Sequence, residues 1–191
     1  MLRFTHSPRA QPFAKHLPTT PTTMLASSRT LLSRAVAPSA ARAFSAGTCD
    51  VVLVGCGVPK RGMGWYHAKQ MIEKRVPAAT LTDVVEPFFL GAGKDSDAGK
   101  EFAAFASATP GVAFHGAMAD MPQASGNKLA LISGRTADNP ALLKEVIDAG
   151  CSHIFLEKPG APTVPELEEM AAYAKSKNVG VFMGYNKNVT K

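Results

Sequence analysis

The sequence predicts an α/β fold, a doubly wound parallel sheet of about six short strands with helices on both faces. Three observations predict it. Apolar runs rich in Val, Leu and Ile recur between residues 51 and 183, alternating with stretches whose apolar side chains follow a helical period. Most runs end at a turn carrying glycine, proline or a charged residue. No run approaches the ~20 apolar residues needed to span a bilayer, so these are buried strands and no membrane partner is expected.

The elements follow in order. Residues 51–54 (VVLV) form the first strand and run into Gly55-Cys56-Gly57. A helix opens near Gly64, with Trp65, Ala68, Met71 and Ile72 on one face. Residues 78–85 (AATLTDVV) form the second strand, ended by Glu86-Pro87, and 88–96 reads as a loop. Its Gly91-Ala92-Gly93-Lys94 is not a P-loop, because Phe88 stands where the earlier glycine is required. Helix 97–106 turns Phe102 and Phe105 inward and stops at Thr109-Pro110-Gly111. A third strand (112–115), a helical turn near 117–121 and a fourth strand (129–133) come next. Helix 140–149 has Asp138 or Asn139 as its cap, Pro140 in its first turn and Gly150 at its end. The fifth strand, 153–156, closes on Glu157-Lys158-Pro159. In helix 164–177 Thr163 and Glu166 make a capping box, and Leu167, Met170, Ala171 and Ala174 a buried stripe. The sixth strand is 179–183.

Charge divides the chain. The net charge of +6 comes from residues 1–49, which hold Arg3, Arg9, Lys15, Arg29, Arg34 and Arg42 and no acid. The remainder is neutral, which removes the main argument for a nucleic-acid partner. Residues 1–48, rich in Ser, Thr, Ala and Arg, have the composition of a disordered targeting segment. The stretch from Met24 resembles a mitochondrial presequence, so the matrix is the expected location, with plastid and cytosol as alternatives. Met24 is also an alternative start. Cys49, Cys56 and Cys151 have neither metal-ligand nor disulfide-framework spacing, and no histidine and acid pair supplies metal-ligand spacing, so no metal is expected.

A strand, a Gly-x-Gly turn and a helix is the arrangement that receives the phosphates of a dinucleotide, as in a Rossmann-type sheet. Gly55 permits the tight turn, Gly57 lets backbone approach an anion, and the helix start offers free N–H groups. In a doubly wound sheet the ligand crevice lies at the carboxyl ends of the strands. The other candidates fall there too: Glu86 after the second strand, Gly134-Arg135 after the fourth, Glu157-Lys158 after the fifth. Glu86 is the candidate for the adenosine ribose hydroxyls, a choice that favours NAD over NADP, with Asp83 the competitor inside the strand. Lys60 and Arg61 can pair with the pyrophosphate or with a 2′-phosphate, so the choice of NAD or NADP stays open. Lys158 would face the middle of the crevice, where an ammonium can hydrogen-bond a substrate hydroxyl and stabilise alkoxide character. Glu157 would orient it. His67 reads as a packing or hydrogen-bonding residue, while His115 and His153 show no obvious partners.

Three blocks, VGCG…GWYHA (54–68), EVIDAGCSHIFLEKPGAPTVPELEEM (145–170) and VGVFMGYNK (179–187), resemble the glucose–fructose oxidoreductase / inositol 2-dehydrogenase (Gfo/Idh/MocA) family. The resemblance covers 50–191 and implies that family's N-terminal NAD(P)-binding domain, with a CH–OH group of a sugar, cyclitol or related polyol as substrate. It implies that Lys158 stands at the catalytic lysine and Gly55, Gly57 and Gly64 at the dinucleotide glycines. Two departures are visible. Six residues separate Gly57 from Gly64 where the family has two, and Arg135 and Asn139 replace a proline and a histidine. The family's substrate domain is expected to begin after Asn186 and is not in this sequence, which implies a fragment inactive alone. The alternative is a non-catalytic dinucleotide sensor.

Overall fold

A computed structural model describes residues 48–185. The targeting segment, apart from Thr48, and the end of the third resemblance block lie outside the described residues.

Each strand is short, and the connecting helices decide the topology. The strands are β1 (Cys49–Val54), β2 (Ala79–Val85), β3 (Ala113–His115), β4 (Lys128–Ile132), β5 (His153–Glu157) and β6 (Gly180–Gly184). The helices are α1 (Met63–Ile72), α2 (Pro87–Leu90), α3 (Asp97–Ser107), α4 (Asn139–Asp148) and α5 (Val164–Ser176), with a 3-10 turn at Met118–Asp120. All pairings are parallel and the order is β3-β2-β1-β4-β5-β6. β1 is therefore central, and Val51, Val52 and Leu53 are fully buried, as an all-apolar strand covered on both faces requires.

Two cores result. Val52, Val54, Ala130, Ile132, Ile154 and Leu156 pack on one face with Leu143, Val146, Ile147 and Met170 from α4 and α5. Val51, Leu53, Leu81, Val84 and Leu131 pack on the other with Ala68 and Met71 from α1, Phe89 from α2 and Phe102 from α3. Phe102 stacks on Phe89 at 5.6 Å and meets Phe105 and Phe114.

The sheet is irregular at one place. Val51 pairs with Leu81 but Val52 with Asp83, so Thr82 is an extra residue in β2. Its hydroxyl donates to the Val51 carbonyl at 3.3 Å and to Asp83 Oδ2 at 2.7 Å. The slip reverses the alternation, so that Leu81 and Val84 share one core while Val85 lies in the other.

Three expectations change. The loop expected at 88–96 begins with a short helix, because Pro87 suits a first turn and the buried Phe89 anchors it. Neither candidate caps α4 with its side chain: Asp138 turns to Arg135, and Asn139 is buried. At α5, Thr163 accepts from the Glu166 N–H at 3.4 Å, but its hydroxyl donates to the Glu166 carboxylate at 2.6 Å. The reciprocal bond runs between side chains rather than back to the backbone.

Candidate functional site

The strand order reverses at β1 and β4, where successive connections leave for opposite faces. A crevice at their carboxyl ends is the consequence of that reversal. Gly55 and Gly134 meet there: a Cβ on Gly55 would lie 2.8 Å from the Gly134 Cα and N. Gly55 has φ +82° and donates to the Val85 carbonyl at 2.9 Å.

The long glycine turn does not displace the helix. Val58–Gly62 closes on itself, with the Arg61 and Gly62 N–H groups donating to the Val58 carbonyl at 3.1 and 2.8 Å. Lys60 takes φ +65°, and its carbonyl accepts from the Tyr66 hydroxyl at 3.0 Å. The extra residues form a side turn, leaving Lys60 and Arg61 exposed. Gly64 keeps its place, packed so closely that a Cβ would strike the Gly55 carbonyl oxygen and lie 2.8 Å from that of Cys56. No side chain caps the start of α1, which leaves its first N–H groups without a side-chain acceptor, the arrangement that suits an anion.

Glu86 is 5% exposed, and its Oε2 accepts from the Gly57 N–H at 2.9 Å. Its backbone N–H donates to the His115 carbonyl at 3.0 Å, which fixes the carboxylate beside the glycine turn. Oε1 has no hydrogen bond among the described residues. Asp83 is elsewhere. Inside β2 it accepts from Lys128 Nζ at 2.6 Å and lies 2.9 Å from His115 Nε2. Both of its oxygens are committed, one to His115 of β3 and one to Lys128 of β4. The Cys56 thiol is fully buried; burial first, then the Glu86 charge, push it up to about 12. Its side chain offers a ligand nothing, and only its backbone belongs to the turn.

The far side of the crevice is the turn after β5. Lys158 is exposed, and the Lys158–Pro159 peptide is cis. Glu157 is 7% exposed and its Oε1 lies 2.7 Å from His67 Nε2 on α1. Asn139 Nδ2 donates to the Gly160 carbonyl at 2.8 Å, while its buried Oδ1 has no partner. The turn that carries Lys158 is thus tied to both α1 and α4. Arg135 is exposed and bidentate to Asp138, at 2.8 and 3.2 Å. Sequence reasoning missed the His67–Glu157 contact and Lys128 altogether. A buried acid in an apolar strand requires a cation nearby, and Lys128, opening the next apolar run, was the available signal. His115 does have a partner, Asp83, and His153 lies 3.0 Å from Ser152 Oγ.

Among the described residues, no group of three or more His, Cys, Asp and Glu side chains could hold a metal, and no helix is long and apolar enough to cross a membrane. A cavity of about 610 Å³, lined by Met71, Lys74, Thr80 and Pro110, lies at the other end of the sheet and includes none of these groups.

Fold and site define a dinucleotide-binding domain of the Rossmann kind. The chain matches a family model described as an oxidoreductase family with NAD-binding Rossmann fold (GFO_IDH_MocA) over residues 49–185. It belongs to that family.

Solved structures agree on the fold. Scyllo-inositol dehydrogenase from Lactobacillus casei, with bound NAD(H) and scyllo-inositol, has TM-score 0.59 at 19% identity, over 75% of this chain and 38% of that one. Myo-inositol 2-dehydrogenase from Lactobacillus plantarum has TM-score 0.58 at 22% identity, over 75% and 38%. The WlbA dehydrogenase from Chromobacterium violaceum, in complex with NADH and UDP-GlcNAcA, has TM-score 0.54 at 24% identity, over 71% and 34%. The matched region thus spans less than two fifths of each of these proteins. A search of curated proteins found no match.

The residues present fit such a cofactor. Among the described residues the only atom within 4 Å of a Cβ on Gly57 would be the Gly62 Cα at 3.4 Å, the start of α1 has no side-chain cap, and the Glu86 carboxylate borders the turn.

Proposed function

We propose that this chain binds NAD in preference to NADP, as the cofactor domain of an oxidoreductase acting on a CH–OH group of a sugar, cyclitol or related polyol. The observation that carries the reading is the Glu157-Lys158-Pro159 turn facing, across one crevice, a glycine turn bordered by Glu86.

The roles follow from position. Gly55, Gly57 and Gly64 let the backbone and the start of α1 approach the pyrophosphate, with exposed Lys60 and Arg61 adding positive charge. Glu86, not Asp83, takes the ribose, because Asp83 is bonded to Lys128 and His115. A 2′-phosphate there would meet the carboxylate. Gly134 and Arg135 border the crevice beyond β4. The bound nicotinamide supplies the two-electron acceptor. The Lys158 ammonium would hydrogen-bond the substrate oxygen and stabilise alkoxide character there as the hydride passes to the nicotinamide, the hydroxyl proton passing to solvent. The polyol must be held by protein beyond these residues, as the coverage of the inositol dehydrogenases implies.

Calorimetry on the full chain with NAD, NADP and S-adenosylmethionine tests the reading. NAD is expected to bind, NADP at least tenfold more weakly, and S-adenosylmethionine not at all. Glu86→Gln is expected to weaken NAD by roughly tenfold and to remove the discrimination, since a hydrogen bond to a charged group contributes about 1.5–3 kcal/mol. Equal affinity for NAD and NADP would reject the assignment of Glu86.

One observation favours a second reading, a non-catalytic dinucleotide sensor. Asn139, at the position where the resemblance led us to expect a histidine, is buried and bonded to Gly160 instead of facing a substrate. Lys158→Ala leaving the biological role intact would favour the sensor. We propose further that the acid-free, Arg-containing residues 1–48 direct the protein to mitochondria. A fusion of residues 1–48 to a reporter is expected to enter the matrix, and cytosolic retention would reject this.

A further inference from the structure

We propose that His67 is a positioning residue for the nicotinamide end of the site, holding the Glu157-Lys158-Pro159 turn against the cofactor helix. The inference rests on the dinucleotide reading above and adds a link that runs across the crevice from α1 to the turn after β5.

Among the described residues, His67 is the only side chain hydrogen-bonded to the Glu157 carboxylate, at 2.7 Å. The carboxylate has little access to water, with 9% of its side chain exposed, so loss of the bond would leave a charged group nearly unpaired. The Glu157 Cδ lies beside Gly184 of the neighbouring strand, 3.5 Å from where a Cβ there would stand. The Gly160 carbonyl is held by Asn139 on the opposite side of the turn. His67 itself is seated by the Phe155 ring, edge-on at 5.7 Å. Its imidazole projects from the second turn of α1, the helix whose first turn faces the glycines. One side chain therefore connects the element that would hold the pyrophosphate to the residue preceding Lys158. Removing the donor frees Glu157 to turn toward water and carries Lys158 with it. The glycine turn would be untouched, because its hydrogen bonds run to Val85, Glu86 and Tyr66 and its close packing to Gly64 and Gly134, none of them through His67.

The test compares NADH with ADP-ribose, which has the same adenosine and pyrophosphate but no nicotinamide. NADH fluorescence titration and ADP-ribose displacement are measured on the full chain, wild type, His67→Phe and His67→Gln. Phe keeps the ring packing on Phe155 without the hydrogen bond, and Gln keeps a donor without the ring. The wild type is expected to bind NADH more tightly than ADP-ribose. His67→Phe is expected to lose roughly tenfold for NADH and less than twofold for ADP-ribose, and to return the bound NADH emission toward the free spectrum. His67→Gln is expected to recover most of the loss. If His67→Phe does not fold by circular dichroism, His67→Leu gives the same contrast. Equal losses for both ligands, no loss for NADH, or a wild type indifferent to the nicotinamide would overturn the proposal. A wild type that binds neither ligand would instead reject the dinucleotide reading on which it rests.

Discussion

Gly64→Ala is expected to abolish measurable dinucleotide binding and to lower the melting temperature by about 5 °C. Two effects oppose each other. Alanine is the better helix former, by about 1 kcal/mol in an exposed helix interior. Against this, the new methyl would strike the Gly55 carbonyl oxygen and lie 2.9 Å from the Cys56 Cα, all main-chain atoms that no rotamer change can move. Helix α1 would have to lift from β1, loosening Ala68 and Met71 from the second core. Overpacking of this kind costs about 1–3 kcal/mol, and each kcal/mol shifts the melting temperature by roughly 4 °C in a domain of this size. The binding loss is larger because the lifted helix start is the part that faces the phosphates. Gly126→Ala is the control: nothing lies within 4 Å of its Cβ, and its φ of +73° adds only local strain. Thermal unfolding followed by circular dichroism, with NADH titration, separates the two. Normal binding by Gly64→Ala would show that the helix does not set the cradle.

Lys128→Met is expected to destabilise the domain by about 3 kcal/mol at pH 7. The side chains of Asp83, His115 and Lys128 are 9, 12 and 13% exposed and tie β2 to β3 on one side and to β4, across β1, on the other. Removing the ammonium leaves a buried carboxylate with His115 and the Thr82 hydroxyl as its remaining partners. The same group gives a pH dependence. Burial acts to raise the Asp83 carboxyl, but hydrogen bonds from Lys128, then His115 and Thr82, outweigh it and hold the group below its usual value. A depressed folded value means that the unfolded chain binds the proton first. The contribution is therefore full above the unfolded value of about 3.9 and is lost as pH falls through the lower folded value. Urea unfolding between pH 7 and pH 2.5 is expected to show this acid limb reduced or reversed in Lys128→Met, because the folded value rises toward or past an unchanged unfolded value. An unchanged limb would mean that Lys128 does not set the Asp83 ionisation.

Much of the candidate site's backbone geometry was legible because its parts announce themselves locally. Gly55 and Gly57 are required by backbone conformation, with φ of +82° and +71°, and Pro159 and Glu86 stand at strand ends that apolar runs mark. The placements the sequence did not reveal are those made by contacts distant along the chain. Glu157 meets His67 ninety residues away, and Asp83 meets Lys128 forty-five away. No spacing rule relates residues on different strands and helices. Thr82 shows the limit at shorter range. The run AATLTDVV reads as an unbroken strand, and only pairing with β1 reveals that one of its residues is extra.

Local chemistry along the chain sets the doubly wound class, the order of its elements and the glycine turn. Those follow from periodicity, turn chemistry and the conformational freedom of single residues, which are properties of a few neighbouring positions. The packed sheet chooses which acid lies beside the glycine turn and what contacts Glu157. It separated Glu86 from Asp83 through the slip at Thr82 and the Lys128 bond, and it placed His67 beneath the turn that carries Lys158. A buried carboxylate takes whichever donor the packing brings to it, and that donor is chosen only when the sheet has assembled.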